Sequence, residues 1–157
     1  MCVTGFVHQD FNESNIIVRR PIKEVLNADD DRLLELFGLI DFGDSCYSYY
    51  VFELAILIVY VMVYAMKQGS SNYLSLATTA FKAYDKMMNV TEAEHDVLYG
   101  TILVRMCFSL AHSINFSEVR PDNEEYINSD AKQVMSLLNV VLDLGKNQFL
   151  HLLTYSS

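Results

Sequence analysis

The chain has 157 residues, 52% of them hydrophobic and 20% charged, with 11 Lys and Arg against 20 Asp and Glu and a formal net charge of -9. That length suits one domain, residues 1–157, with a buried core, and that hydrophobicity excludes a disordered tail. The acidic excess excludes nucleic acid as a partner, because a phosphate backbone calls for clustered Lys and Arg, and it is compatible with a small cationic substrate.

Taken in order, Cys2-Val3-Thr4-Gly5-Phe6-Val7 is short, apolar and rich in strand formers, and it runs straight into His8. Asn12 to Asn15 is polar and loop-like. Ile16-Ile17-Val18 predicts a short strand stopped by Arg19-Arg20-Pro21. Residues 22–32, with Asp29-Asp30-Asp31, predict a solvated connection, and Leu36 to Ile40 a second strand that ends at Asp41. Two short strands around a connection predict a hairpin holding their flanking segments at one cleft.

From Val51 the pattern turns helical. Phe52 to Lys67 is apolar on nearly every side, as a fully buried helix is. Gly69-Ser70-Ser71-Asn72 breaks it, and Tyr73 to Met88 resumes with Leu74, Ala77, Phe81 and Tyr84 at helical spacing. Asn89-Val90 ends that helix, and Thr91-Glu92-Ala93-Glu94 is a capping box for another running to about Ser113. Arg120-Pro121-Asp122-Asn123 predicts a turn. A last helix starts near Ser129 or Asp130, and Gly145 is placed to interrupt it before Phe149 to Leu153.

Three cysteines, Cys2, Cys46 and Cys107, follow neither a disulfide nor a zinc pattern. With no basic, apolar leader at the N-terminus, the expected setting is reducing and cytoplasmic. The apolar run Leu54 to Met66 falls short of the roughly 20 residues that span a membrane, so no membrane partner is expected. Met62, Met66, Met87 and Met88 read as core packing. His95, His112 and His151 lack metal-ligand spacing and read as surface or packing residues. Tyr47, Tyr49 and Tyr50 read as packing, with a pocket wall as the alternative.

Two segments carry chemistry. In His8-Gln9-Asp10-Phe11-Asn12-Glu13-Ser14-Asn15 an aspartate lies two residues after a histidine and five before an asparagine. In Asp41-Phe42-Gly43-Asp44 an aspartate ends the apolar run Leu39-Ile40. Phosphoryl transfer to a hydroxyl needs a carboxylate to orient the nucleophile and take its proton, and hard oxygens for magnesium. Asp10 fits the first role as the catalytic base. Asn15 and Asp41 fit the second, as metal ligands and thereby as cofactor-binding residues. His8 is expected to brace the loop through backbone hydrogen bonds. Gly43 suits a sharp turn, and Phe42 is expected to pack inward and fix it.

These two motifs resemble the aminoglycoside phosphotransferase and choline kinase-like family. Ser45 to Ala55 and the late stretch Arg120 to Tyr126, with the helix at Ala131-Lys132, narrow the resemblance to the branch that phosphorylates the side-chain hydroxyl of 5-hydroxy-L-lysine. The resemblance implies a mostly α protein-kinase-like C-lobe with a small β-hairpin, magnesium, and GTP (or ATP) as donor. It also implies that Glu53, at the start of the helix after the second motif, braces the catalytic loop from behind. Asp44 is the candidate for a substrate ammonium, by placement and charge. Within the class, a choline, homoserine or aminoglycoside kinase is the alternative; outside it, a kinase remnant kept as an interaction protein.

Two departures accompany the resemblance. Relatives usually carry glycine between the histidine and the aspartate, where this chain has Gln9, tolerable only if the backbone there is ordinary. The Gly-rich loop, strand lysine and paired helix glutamate of an N-lobe find no counterpart. The resemblance therefore covers the C-terminal half of such an enzyme. A chain with only those parts is expected to expose apolar surface and to lack GTP-dependent turnover by itself.

Overall fold

In the computed structural model, residues 1–19, 37–119 and 130–155 are described. The stop at Arg20-Pro21, the acidic connection and the turn at residues 120–123 lie outside them. Four short strands come first: β1 (Thr4–Val7), β2 (Ile16–Val18), β3 (Phe37–Leu39) and β4 (Cys46–Tyr49). Antiparallel pairing of β2 with β3, in the register Ile16 to Leu39 and Val18 to Phe37, forms the hairpin the sequence predicts. β1 pairs with β4, Thr4 opposite Tyr49 and Val7 opposite Cys46.

β4 is the departure. Its residues read as packing or pocket wall, yet Cys46-Tyr47-Ser48-Tyr49 alternates in the manner of a strand with one face turned from the core. Thr4 Oγ1 and Tyr47 Oη lie 3.2 Å apart across the pair. Gly5 leaves room for the Tyr50 ring, since a Cβ there would fall 1.9 Å from the Tyr50 hydroxyl and force that side chain to move. The Tyr50 N–H donates to the Val3 carbonyl at 3.1 Å, tying β1 to the helix that follows.

That helix, α1 (Tyr50–Lys67), packs against α2 (Tyr73–Met88), α3 (Glu92–Val119) and α4 (Ala131–Tyr155). Leu54, Ile58, Val59, Met62 and Val63 are buried, together with Phe81, Leu98, Ile102, Met106, Leu137, Val141 and Phe149. Phe52 and Tyr64 remain exposed, so α1 is not buried on every side. Nor are the methionines uniform: Met62 and Met66 pack in the core, while Met87 and Met88 are exposed at the end of α2.

With 18 residues and a mean hydropathy of 1.8, α1 is long and apolar enough to cross a membrane, more than the run Leu54 to Met66 suggests; Glu92–Asn115 passes the same test. Half of α1 is buried inside the protein, as befits the central helix of a folded core.

The capping box forms as predicted. The Thr91 N–H and hydroxyl donate to Glu94 Oε2 at 2.9 and 2.8 Å, while Glu94 Oε1 accepts from the Val3 N–H at 3.0 Å. Burial pushes the Glu94 carboxyl up, but these bonds outweigh it and hold the group below its usual value. Gly145, at φ 70° and ψ 167°, kinks α4 as predicted. A lasting contrast is left on the strands: the cross-strand neighbours Phe6 and Tyr47 are 70% and 74% exposed.

Candidate active site

β1 delivers buried His8 to the start of the first motif. The Asp10 N–H donates to His8 Nδ1 at 3.3 Å, so the other ring nitrogen carries the proton and donates to the Ile40 carbonyl at 2.8 Å. One ring thus bonds the first motif to the residue before Asp41. The hairpin makes a second link, because the Ile40 N–H donates to the Asn15 carbonyl at 3.0 Å beyond the β2–β3 ladder. Asn15 and Asp41 are therefore neighbours across two chain segments.

Within the loop, Asn15 Nδ2 donates to the Asp10 carbonyl at 2.8 Å and to Asp10 Oδ2 at 3.0 Å. An amide is planar, so this turns Asn15 Oδ1 the other way. Asn12 caps the turn Glu13–Asn15 by accepting from the Ser14 N–H at 2.9 Å. Gln9 has φ 68°, so the backbone at the usual glycine position is not ordinary. A side chain in this left-handed region costs roughly 1–2 kcal/mol. The Gln9 N–H, turned inward by that geometry, donates to Glu53 Oε2 at 2.8 Å. Glu53 thus reaches the loop from α1.

The second motif differs from expectation in its details. Positive φ falls on Asp41 (61°) and not on Gly43, whose added Cβ would meet Asp41 Oδ1 at an ordinary 3.5 Å. Phe42 is 57% exposed and does not pack inward; it meets the buried His8 ring edge-on at 4.9 Å. Asp41 and Asp44 are both exposed.

The opposite wall holds residues the motifs do not include. Arg105 of α3 donates through Nη2 to Asp10 Oδ1 at 3.3 Å and to the Tyr60 hydroxyl at 3.0 Å, and through Nη1 to the Gln9 carbonyl at 3.5 Å. Its guanidinium lies 5.2 Å from the Tyr60 ring and 5.8 Å from the Phe108 ring. Lys67 closes one end, with Nζ 2.6 Å from Asp130 and 3.8 Å from Glu13. The Asp130 hydrogen bond lifts the Lys67 ammonium above its usual value against a smaller opposing effect of burial. A signal for Arg105 existed in the sequence: it is a lone charge within Ile102 to Phe108, and a charge inside an apolar helix face is retained where it has a partner.

Asp10, Asn15, Asp41 and Asp44 line one open cleft of about 560 Å³ with Glu13, Tyr60, Lys67, Arg105 and Asp130. That volume is in the usual range for a small-molecule site. His8 and Glu53 stand behind the loop and support it. His112 lines the far wall, whereas Tyr47, Tyr49 and Tyr50 do not line the cleft.

Among the described residues no group of three or more His, Cys, Asp and Glu is placed to hold a metal. An amide oxygen from Asn15 and a carboxylate from Asp41 do suit an ion such as magnesium, which keeps most of its shell as water and phosphate.

Residues 2–88 match the profile of the phosphotransferase enzyme family, which spans both motifs and α1 and α2. The chain belongs to that family. Among curated proteins, the chain is 29% identical to the hydroxylysine kinase of Danio rerio over 90% of its own length, and 30% identical to that of Bos taurus over 88%. It is 29% identical to the hydroxylysine kinase of Mus musculus, again over 88%. The matched regions cover 36%, 35% and 35% of those proteins, so the chain spans about a third of the length of these relatives. No solved structure matches.

Proposed function

We propose that this phosphotransferase transfers the γ-phosphate of GTP, with magnesium, to the side-chain hydroxyl of 5-hydroxy-L-lysine in the cytoplasm. One observation carries the reading: Asp10 and Asn15 of the first motif and Asp41, 26 residues further on, line one cleft, and the two motifs are joined by the His8–Ile40 and Asn15–Ile40 bonds. The curated relatives' name supports the acceptor. An excess of carboxylates on the cleft, Asp10, Glu13, Asp41, Asp44 and Asp130 against Lys67 and Arg105, favours an acceptor with two amino groups. GTP rests on the family resemblance. The three cysteines, free among the described residues, are in keeping with a reducing compartment.

In this mechanism the acceptor hydroxyl donates its hydrogen bond to an Asp10 oxygen. Each carboxylate oxygen has two acceptor positions, and Asn15 and Arg105 take one on each, so two remain for the acceptor. Asp10 takes the hydroxyl proton as the acceptor oxygen bonds the γ-phosphorus and the bond to the nucleoside diphosphate breaks. Asn15 and Asp41 would hold the metal, which when bound would offset the charge of the transferring group. Asp44 faces the acceptor's ammonium.

The test is transfer of labelled γ-phosphate by the protein at its full natural length, with GTP and 5-hydroxy-L-lysine. Lysine, which lacks the hydroxyl, should accept nothing, and choline and homoserine should be poor acceptors. Asp10→Asn should lower kcat by about 10²-fold or more, and Asp44→Ala should raise KM for hydroxylysine more than it lowers kcat. Equal transfer to choline would overturn the acceptor assignment; undiminished turnover in Asp10→Asn would overturn the role of Asp10.

A further inference from the structure

We infer that Arg105 is a positioning residue that reserves Asp10 for the acceptor hydroxyl and keeps it from becoming a third metal ligand. The inference rests on the functional reading above. Asp10 lines the same cleft as the metal-ligand candidates Asn15 and Asp41, and its Oδ2 takes only the amide N–H of Asn15, at 3.0 Å, so its carboxylate shares the cleft in which a divalent ion would sit. A bare carboxylate there would compete for the ion, because hard cations favour charged oxygen over amide oxygen. Arg105 Nη2 occupies Asp10 Oδ1 at 3.3 Å and sets the plane of the carboxylate from the opposite wall.

The guanidinium is itself fixed on several sides. Tyr60 and Phe108 stand against it, the Tyr60 hydroxyl accepts from Nη2, and the Gln9 carbonyl accepts from Nη1. Its Nε is buried with no hydrogen-bond partner among the described residues, a destabilising arrangement that folding alone does not call for. Lysine could not reproduce this, since a point charge neither stacks on two rings nor reaches Asp10, Gln9 and Tyr60 together. The contact also bridges α3 to the catalytic loop, residues 96 and 95 positions apart in the chain for Gln9 and Asp10.

Two readouts test this in the full-length protein. In a Mn²⁺ titration followed by electron paramagnetic resonance, Arg105→Met should bind Mn²⁺ roughly 10-fold more tightly than the parent, and Arg105→Met with Asp10→Asn should lose that gain. In the kinase assay Arg105→Met should lower kcat by about 10²-fold with acceptor KM nearly unchanged, and Arg105→Lys should recover part of it. Unchanged Mn²⁺ affinity in Arg105→Met, or a gain that survives Asp10→Asn, would overturn the inference. If Arg105→Met does not fold, the same titration on Arg105→Lys decides, with a smaller gain expected and none overturning the inference. Absence of transfer by the parent protein would defeat the functional reading, while the Mn²⁺ titration would still decide the role of Arg105.

Discussion

Along α1 the side chains of Leu54, Ile58, Val59, Met62 and Val63 are out of water, whereas across β1 and β4 Phe6 and Tyr47 face each other and stay largely in it. The helical body is held by burial, and its register follows from which faces are apolar. The edge that carries the site buries little and is held by directed bonds: Gln9 to Glu53, His8 to Ile40, Asn15 to Asp10, Arg105 to Asp10. Directed bonds fix a carboxylate's orientation in a way that nondirectional burial does not, and orientation is what phosphoryl transfer needs. The two regions should therefore fail differently when altered.

The largest effect is expected in the body. Ile58 is fully buried in the middle of α1, so Ile58→Ala removes apolar contact and leaves a cavity, at a cost of about 2–5 kcal/mol. Urea unfolding followed by circular dichroism should show the midpoint fall with the slope unchanged. A loss below 1 kcal/mol would mean that the core around Ile58 is not packed as described.

Glu53 belongs to both regions, which makes it the sharper probe. Its backbone is part of the buried helix, while its carboxylate holds the Gln9 N–H at the site. Glu53→Ala should cost about 1.5–3 kcal/mol, the value of a hydrogen bond to a charged group, and should lower kcat as the loop loses its support. Glu53→Gln retains an acceptor oxygen and should recover most of the stability. Equal losses in the two variants would show that charge, and not the bond to Gln9, is what matters.

How much of this was legible follows the same division. The helices could be read because apolar spacing reports burial directly, and α2 has the predicted ends, Tyr73 and Met88. The hairpin and both motifs could be read because their signals are local. Arg105 belongs to neither class of signal: it meets Asp10 only after α3 has folded across the loop, 95 residues away in sequence. Backbone strain was equally hidden. Gly43 suggested where the second turn is sharp, yet positive φ fell on Asp41, and Gln9, which the sequence marks as a departure from glycine without fixing its backbone angles, proved to be left-handed.

Gln9 offers the smallest effect and the most discriminating one. Its left-handed backbone costs roughly 1–2 kcal/mol, and glycine would remove that cost while losing roughly 0.5–1 kcal/mol to the extra freedom of the unfolded chain. The first quantity is the larger, so Gln9→Gly should stabilise the protein by about 0.5–1 kcal/mol and raise Tm by about 1–4 °C. The Gln9 N–H bond to Glu53 uses the backbone alone and survives the change. In a Glu53→Ala background the gain should therefore shrink, because nothing then holds residue 9 in the left-handed region and its strain can relax. A full gain in that background would show that the loop keeps its shape without α1, and that directed bonds do not hold this edge.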